Sequence, residues 1–185
     1  MEYFEAAKRF KIQALERLGD DCMPPPLPPE KRPPSGLALK SKAEKIGLAV
    51  IAEYKRASPS QGDIALEVTP AEAAKAYAMA GAAAISVLTE KSKFKGRLSF
   101  IESARAGLSG SSRLSSSVPP ILRKDFIFHP LQIRATAATR ASALLLIVKP
   151  CPLADVLASL INQPGRSGLE CVVEVLDDAD LIMAR

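Results

Sequence analysis

The sequence contains no tryptophan, and its six phenylalanines and three tyrosines bring the aromatic share to only 5%. An aromatic-rich β sandwich is therefore disfavoured. Alanine, leucine, valine and isoleucine supply most of a 48% hydrophobic content, which suits helices packed on parallel strands. Cysteine is scarce as well. Cys22, Cys151 and Cys171 are odd in number, widely spaced and without a CxxC pair, so neither a zinc site nor a disulfide framework is indicated. Reduced thiols in the cytoplasm are the simple reading. Long apolar runs are missing: the longest, Ala143 to Val148, is far too short to span a membrane, and residues 1 to 13 lack the apolar core of a signal peptide. No GxGxxG follows a strand-like run, which disfavours a dinucleotide fold.

A net charge of +5 raises the question of nucleic acid, but the basic residues are dispersed among acids with no groove-reading motif. A phosphorylated or carboxylated small substrate suits the same surplus, and no nucleic-acid or membrane partner is expected. With 185 residues the chain is long enough to bury a real core.

Two regions are expected. Residues 1–45 form an N-terminal extension: an amphipathic helix over 1–19, a stiff proline-rich linker over 23–34 and a short basic helix from Leu37 to Ile46. Residues 46–185 alternate strand-like and helix-like runs, with strands near 48–54, 84–88, 119–124, 143–148 and 169–175. Thr69-Pro70-Ala71-Glu72 is a capping box, and Gly81 stands where its helix should stop. Further helices are expected over 98–108, 130–139, 153–161 and from 177 onward. The serine-rich run 109–117 reads as a loop rather than a phosphate cradle, because it precedes a strand, and His129 beside Pro130 reads as a surface or capping residue. Such β-loop-α repetition specifies parallel strands joined by right-handed crossovers, hence an α/β fold that is either a (β/α) barrel or a doubly wound sheet.

Ionisable residues collect at the carboxyl ends of the strands, where such folds keep their chemistry. Glu53 and Lys55 close the first strand and share a face, with Tyr54 on the other. Lys124 closes the third, on the face of Leu122, and Glu174 the fifth, on the face of Val172. In a barrel, alternate strands feed the same interior layer, so these four side chains can converge. That convergence favours the barrel.

The segments Ile51-Ala52-Glu53-Tyr54-Lys55-Arg56-Ala57-Ser58-Pro59-Ser60, Ile85-Ser86-Val87-Leu88-Thr89-Glu90, Phe94-Lys95-Gly96, Leu122-Arg123-Lys124-Asp125-Phe126 and Val173-Glu174-Val175 resemble, in order, the indole-3-glycerol-phosphate synthase family of (β/α)8 enzymes. The resemblance covers about residues 32 to 185. It implies a cofactor-free and metal-free carboxy-lyase of tryptophan biosynthesis, which closes the ring of 1-(2-carboxyphenylamino)-1-deoxyribulose 5-phosphate with loss of carbon dioxide and water. By resemblance Lys124 is the main general acid, Glu174 serves later proton transfer, Glu53 orients the network and Lys55 neutralises substrate charge. Ser58 and Pro59 shape the first active-site loop, and Phe94 and Phe126 contact the anthranilate ring.

Measured against that family, the chain ends at Arg185 after the fifth strand, where a full barrel has eight units. A barrel truncated there lacks the phosphate clamp and exposes two strand edges, so weak or absent activity alone is expected, together with dimerisation or a complementing C-terminal half-barrel. Arg97 and Arg140-Ala141-Ser142-Ala143 depart from the family pattern in turns. The alternatives are a noncatalytic remnant or assembly module, or another phosphate-binding barrel such as phosphoribosylanthranilate isomerase. The motifs at Glu53 and Lys124 argue against the isomerase.

Overall fold

A computed structural model of the protein describes residues 5, 8, 9, 11, 12, 32–109, 118–149 and 154–184. The strands are β1 (Ile51–Tyr54), β2 (Ala57–Ser58), β3 (Gly62–Asp63), β4 (Ala84–Leu88), β5 (Ile121–Lys124), β6 (Ala143–Ile147) and β7 (Glu170–Glu174). The helices are α1 (Ser35–Ile46), α2 (Pro70–Met79), α3 (Ser99–Gly107), α4 (Pro130–Ala137), α5 (Ala154–Asn162) and α6 (Asp178–Met183). Five strands form one parallel sheet in the order β1-β4-β5-β6-β7, which is also their order along the chain. A doubly wound sheet reverses its strand order at a switch point. This sheet never does, so its winding is that of a (β/α) barrel.

The register assigns every strand residue to a face. Ala52, Ile85 and Ile121 stand side by side, as do Tyr54, Val87, Arg123, Leu144 and Cys171. These point toward the helices, where Ile85, Val87, Ile121, Leu144, Ile101 and Leu157 are wholly enclosed. Cys171 is among them, and burial pushes its thiol up to about 11, so it packs rather than reacts. The opposite face carries Glu53, Ser86, Leu88, Leu122, Lys124, Leu145, Ile147 and Glu174. It is the face a closed barrel turns inward.

Local chemistry explains where the elements begin and stop. The Thr69 hydroxyl accepts from the Glu72 N–H at 3.2 Å while the Glu72 carboxylate accepts from the Thr69 N–H at 2.9 Å, completing the capping box of α2. His129 caps α4, its Nδ1 accepting from the Leu131 N–H at 3.2 Å. The first strand starts at Ile51 rather than near 48 because pairing with Ala84 begins there; Leu48 and Val50 stay exposed. Two charged residues without a local signature fix α1. Glu170, at the start of β7, accepts from the Ser35 and Gly36 N–H groups at the helix N-terminus. The buried guanidinium of Arg32 donates to the carbonyls of Ala137, Thr139, Ala141 and Ser167. It thereby caps the end of α4 and the loop before β7.

Residues 5, 8, 9, 11 and 12 are helical. The remainder of 1–19, the linker up to residue 31, the serine-rich run 110–117, Cys22, Cys151 and Arg185 lie outside the described residues. Among the described residues, the two outer strands of the sheet, β1 and β7, each pair on one side only. Exposed apolar residues flank both, with Val50 and Ile51 beside β1 and Val175, Leu176 and Ile182 beside β7. Among the described residues no helix is long and apolar enough to cross a membrane.

Candidate functional site

At the carboxyl end of the sheet the inner face presents a compact charge cluster. Lys124 reaches across β4 to Glu53 on β1, its ammonium donating to the carboxylate at 2.9 Å, and Lys55 donates to the other oxygen at 3.3 Å. Lys55 lies just past the strand end yet keeps the face of Glu53, as side-chain alternation requires. Tyr54 between them points the other way, its ring edge-on to Phe100 and its hydroxyl donating to the Val68 carbonyl at 2.9 Å. Burial works to raise the Glu53 carboxyl, but the ammonium groups of Lys124 and Lys55 outweigh it and hold it below the usual carboxylate range. The cluster is one carboxylate shared by two ammonium groups.

Beside Lys124 lies a small apolar pocket walled by Leu88, Leu145 and Ile147 from the sheet and by Phe94 and Phe126 from the loops. The two rings stand 6.5 Å apart at a tilt of 58°. Phe94 is delivered by a loop that Glu90 organises, its buried carboxylate accepting from the N–H groups of Ser92, Lys93 and Phe94 and from the Ser92 hydroxyl. The loop closes at Gly96, whose N–H donates to the Glu90 carbonyl at 2.7 Å. A Cβ at this glycine would lie 2.5 Å from the Leu88 carbonyl oxygen and 2.8 Å from that of Glu90. That close approach is the physical reason for a glycine two residues after Phe94. Gly96→Ala is expected to displace the loop at a cost of about 1–3 kcal/mol, and to withdraw Phe94 from the pocket. Urea unfolding together with the fluorine signal of a 4-fluorophenylalanine at position 94 checks both parts.

Behind Lys124, on the helix side of β5, Arg123 and Asp125 form a buried brace. Arg123 donates to Asp125 at 2.8 Å, to the Thr89 hydroxyl at 3.1 Å, and to the Gln132 carbonyl and Thr136 hydroxyl of α4 at 2.9 and 2.7 Å. Burial acts to raise the Asp125 carboxyl, and the cations of Arg123 and Lys11 overcome it to leave the group below its ordinary value. Arg123 thus turns toward the helices and Lys124 to the opposite, inner face, which aims Lys124 at the pocket.

Of the eight residues singled out in the sequence, Glu53, Lys55 and Lys124 are joined by ion pairs, while Phe94 and Phe126 wall the adjacent pocket. Glu174 ends β7 opposite Ile147, on the same inner face, and no ion pair reaches it among the described residues. Ser58 and Pro59 lie on the hairpin of β2 and β3, a feature without a sequence period of its own. The Ser58 hydroxyl accepts from the Gln61 N–H at 3.1 Å and so shapes the hairpin tip, while Pro59 is exposed. Asp63 of this hairpin pairs with Lys95 at 2.5 Å, which ties it to the Phe94 loop. The sequence reading missed Glu90, Asp125 and Lys11 as organisers of the site. An acid within two residues of a strand end was the available signal for the first two.

The family model of indole-3-glycerol phosphate synthase matches residues 30–185. Curated relatives of that name include one from Geobacillus kaustophilus, 37% identical over 175 residues, which make up 95% of this chain and 61% of the relative. One from Mycolicibacterium vanbaalenii is 43% identical over 145 residues, covering 78% of this chain and 50% of the relative. A third, from Rhodococcus jostii, is 46% identical over 129 residues, covering 70% and 44%. The chain spans about half the length of the curated relatives it matches. With a match across most of its residues and the matching motifs gathered at one end of a sequentially wound parallel sheet, this chain belongs to the indole-3-glycerol phosphate synthase family.

Proposed function

We propose that the site takes part in closing the ring of 1-(2-carboxyphenylamino)-1-deoxyribulose 5-phosphate, with loss of carbon dioxide and water. One observation carries this reading: the Lys124 ammonium stands at the rim of an aromatic-walled pocket and is held there by Glu53 from two strands away. The pocket suits the anthranilate ring, with Phe94 and Phe126 as its apolar walls. Lys124 is then placed to protonate the sugar carbonyl as the ring carbon attacks, and Glu53 orients it. Lys55, a compact point charge at the mouth, suits the substrate's anionic groups. Glu174, on the same inner face, is assigned the later proton transfer to the departing hydroxyl. Ser58 and Pro59 belong to the hairpin that borders the mouth. The reaction needs no cofactor in this scheme.

The assignment of residues 1–45 as an extension and 46–185 as barrel, and a cytoplasmic location, are part of the same reading. So is the partner: the apolar edges beside β1 and β7 are suited to a second copy of the chain or to polypeptide that supplies further β/α units. Outer strands that pair on one side only, among the described residues, also predict slow turnover by these 185 residues. Titration of the purified chain with the substrate, followed by anthranilate fluorescence, tests the pocket. Saturable binding displaced by free anthranilate is expected; absence of binding to either compound contradicts the proposal.

A further inference from the structure

Lys11 precedes Asp125 by 114 positions, yet its ammonium meets the Asp125 carboxylate, donates to the Phe126 carbonyl at 3.2 Å, and lies 5.7 Å from the centroid of the Phe126 ring. The Lys11 side chain is only 16% exposed and that of Asp125 only 3%. Asp125 already has a cation in Arg123. A second is not required to balance its charge, so the question is what the extra ammonium does.

Its contacts answer that. The Phe126 N–H donates to the same Asp125 oxygen that Lys11 meets, at 2.8 Å. The Phe126 carbonyl is held from the helix side by the Gln132 amide at 2.7 Å and from the other side by Lys11. The backbone N–H, the backbone carbonyl and the ring of one pocket aromatic therefore all meet Lys11 or the carboxylate it touches. We propose that Lys11 is a positioning residue, through which the N-terminal segment fixes the Phe126 ring in the pocket wall beside Lys124. The inference rests on the reading of that pocket as a seat for an anthranilate ring. A charge-assisted hydrogen bond together with a partly buried cation–π contact gives the ammonium enough hold to do this. Arg123 and Thr89 keep Asp125 paired when Lys11 is replaced, so the role is separable from folding.

The test compares the wild-type chain with Lys11→Met and Lys11→Arg, each carrying 4-fluorophenylalanine. The Phe126 fluorine signal is identified by its loss in Phe126→Leu. Lys11→Met is expected to move that signal and to weaken anthranilate binding about five- to tenfold, while Lys11→Arg restores both. If the methionine variant does not fold, Lys11→Gln, which keeps a donor but no charge, serves the same comparison. A Phe126 signal and an affinity unchanged in the uncharged variant overturn the proposal. Should the wild-type chain bind no anthranilate, the pocket reading fails, and the fluorine signal still decides the role of Lys11.

Discussion

Arg123→Met is expected to lower the unfolding free energy by about 3 kcal/mol, the lower end of the range for removing one partner of a buried ion pair. The lower end applies because Asp125 retains Lys11 and the Thr89 hydroxyl after the change. Methionine fills much of the space of the arginine stem but supplies no donor. The Gln132 carbonyl and the Thr136 hydroxyl lose the guanidinium that ties β5 to α4. Arg123→Lys keeps a charge without the fork that reaches four partners, so its cost is expected to fall between wild type and Arg123→Met.

The same brace gives the protein an acid-sensitive term of defined sign. Asp125 is held below its ordinary value in the folded state, so its contribution is complete above the usual carboxylate range. It is lost as pH falls through the depressed folded value. In Arg123→Met only Lys11 and the Thr89 hydroxyl still oppose burial, the folded value rises, and stability is lost starting at a higher pH. Urea unfolding across the acid range measures both effects. Equal stability of wild type and Arg123→Met throughout that range would contradict the assignment.

The second large effect concerns chemistry. Fused to the C-terminal part of the Geobacillus kaustophilus relative that it does not span, the chain is expected to form the indole product. Lys124→Ala in that fusion is expected to slow product formation by roughly a hundredfold or more, the scale of a lost general acid. Substrate binding and melting temperature should change little, because Lys124 is partly exposed and its loss leaves Glu53 paired with Lys55. Indole fluorescence reports the rate. Undiminished turnover in Lys124→Ala would remove the proposed acid from the mechanism.

What could be read in advance from the sequence is what depends on short-range order. Side-chain alternation put Glu53 and Lys55 on one face and Tyr54 on the other, and the positions follow that rule. The Thr69–Glu72 box and the cap at His129 are contained within a few residues, and both hold. The hairpin of β2 and β3 escaped notice because strands of two residues carry no period. Lys11, Arg32 and Glu170 escaped for a different reason: each acts on a residue more than a hundred positions away. No local pattern marks such a contact. Arg123 shows the middle case, since alternation gave its face, while only the packing of α4 reveals that a charged residue there is fully partnered.

β1 and β5 bring Glu53 and Lys124 together across β4. Titration of the Glu53 side-chain carboxyl by carbon-13 NMR, in the wild-type chain and in Lys124→Met, tests it most directly. A wild-type value below the ordinary glutamate range that climbs when Lys124 is replaced, because burial is then opposed by Lys55 alone, is the predicted result. A Glu53 titration curve that stays the same in both proteins would show that the two side chains do not meet.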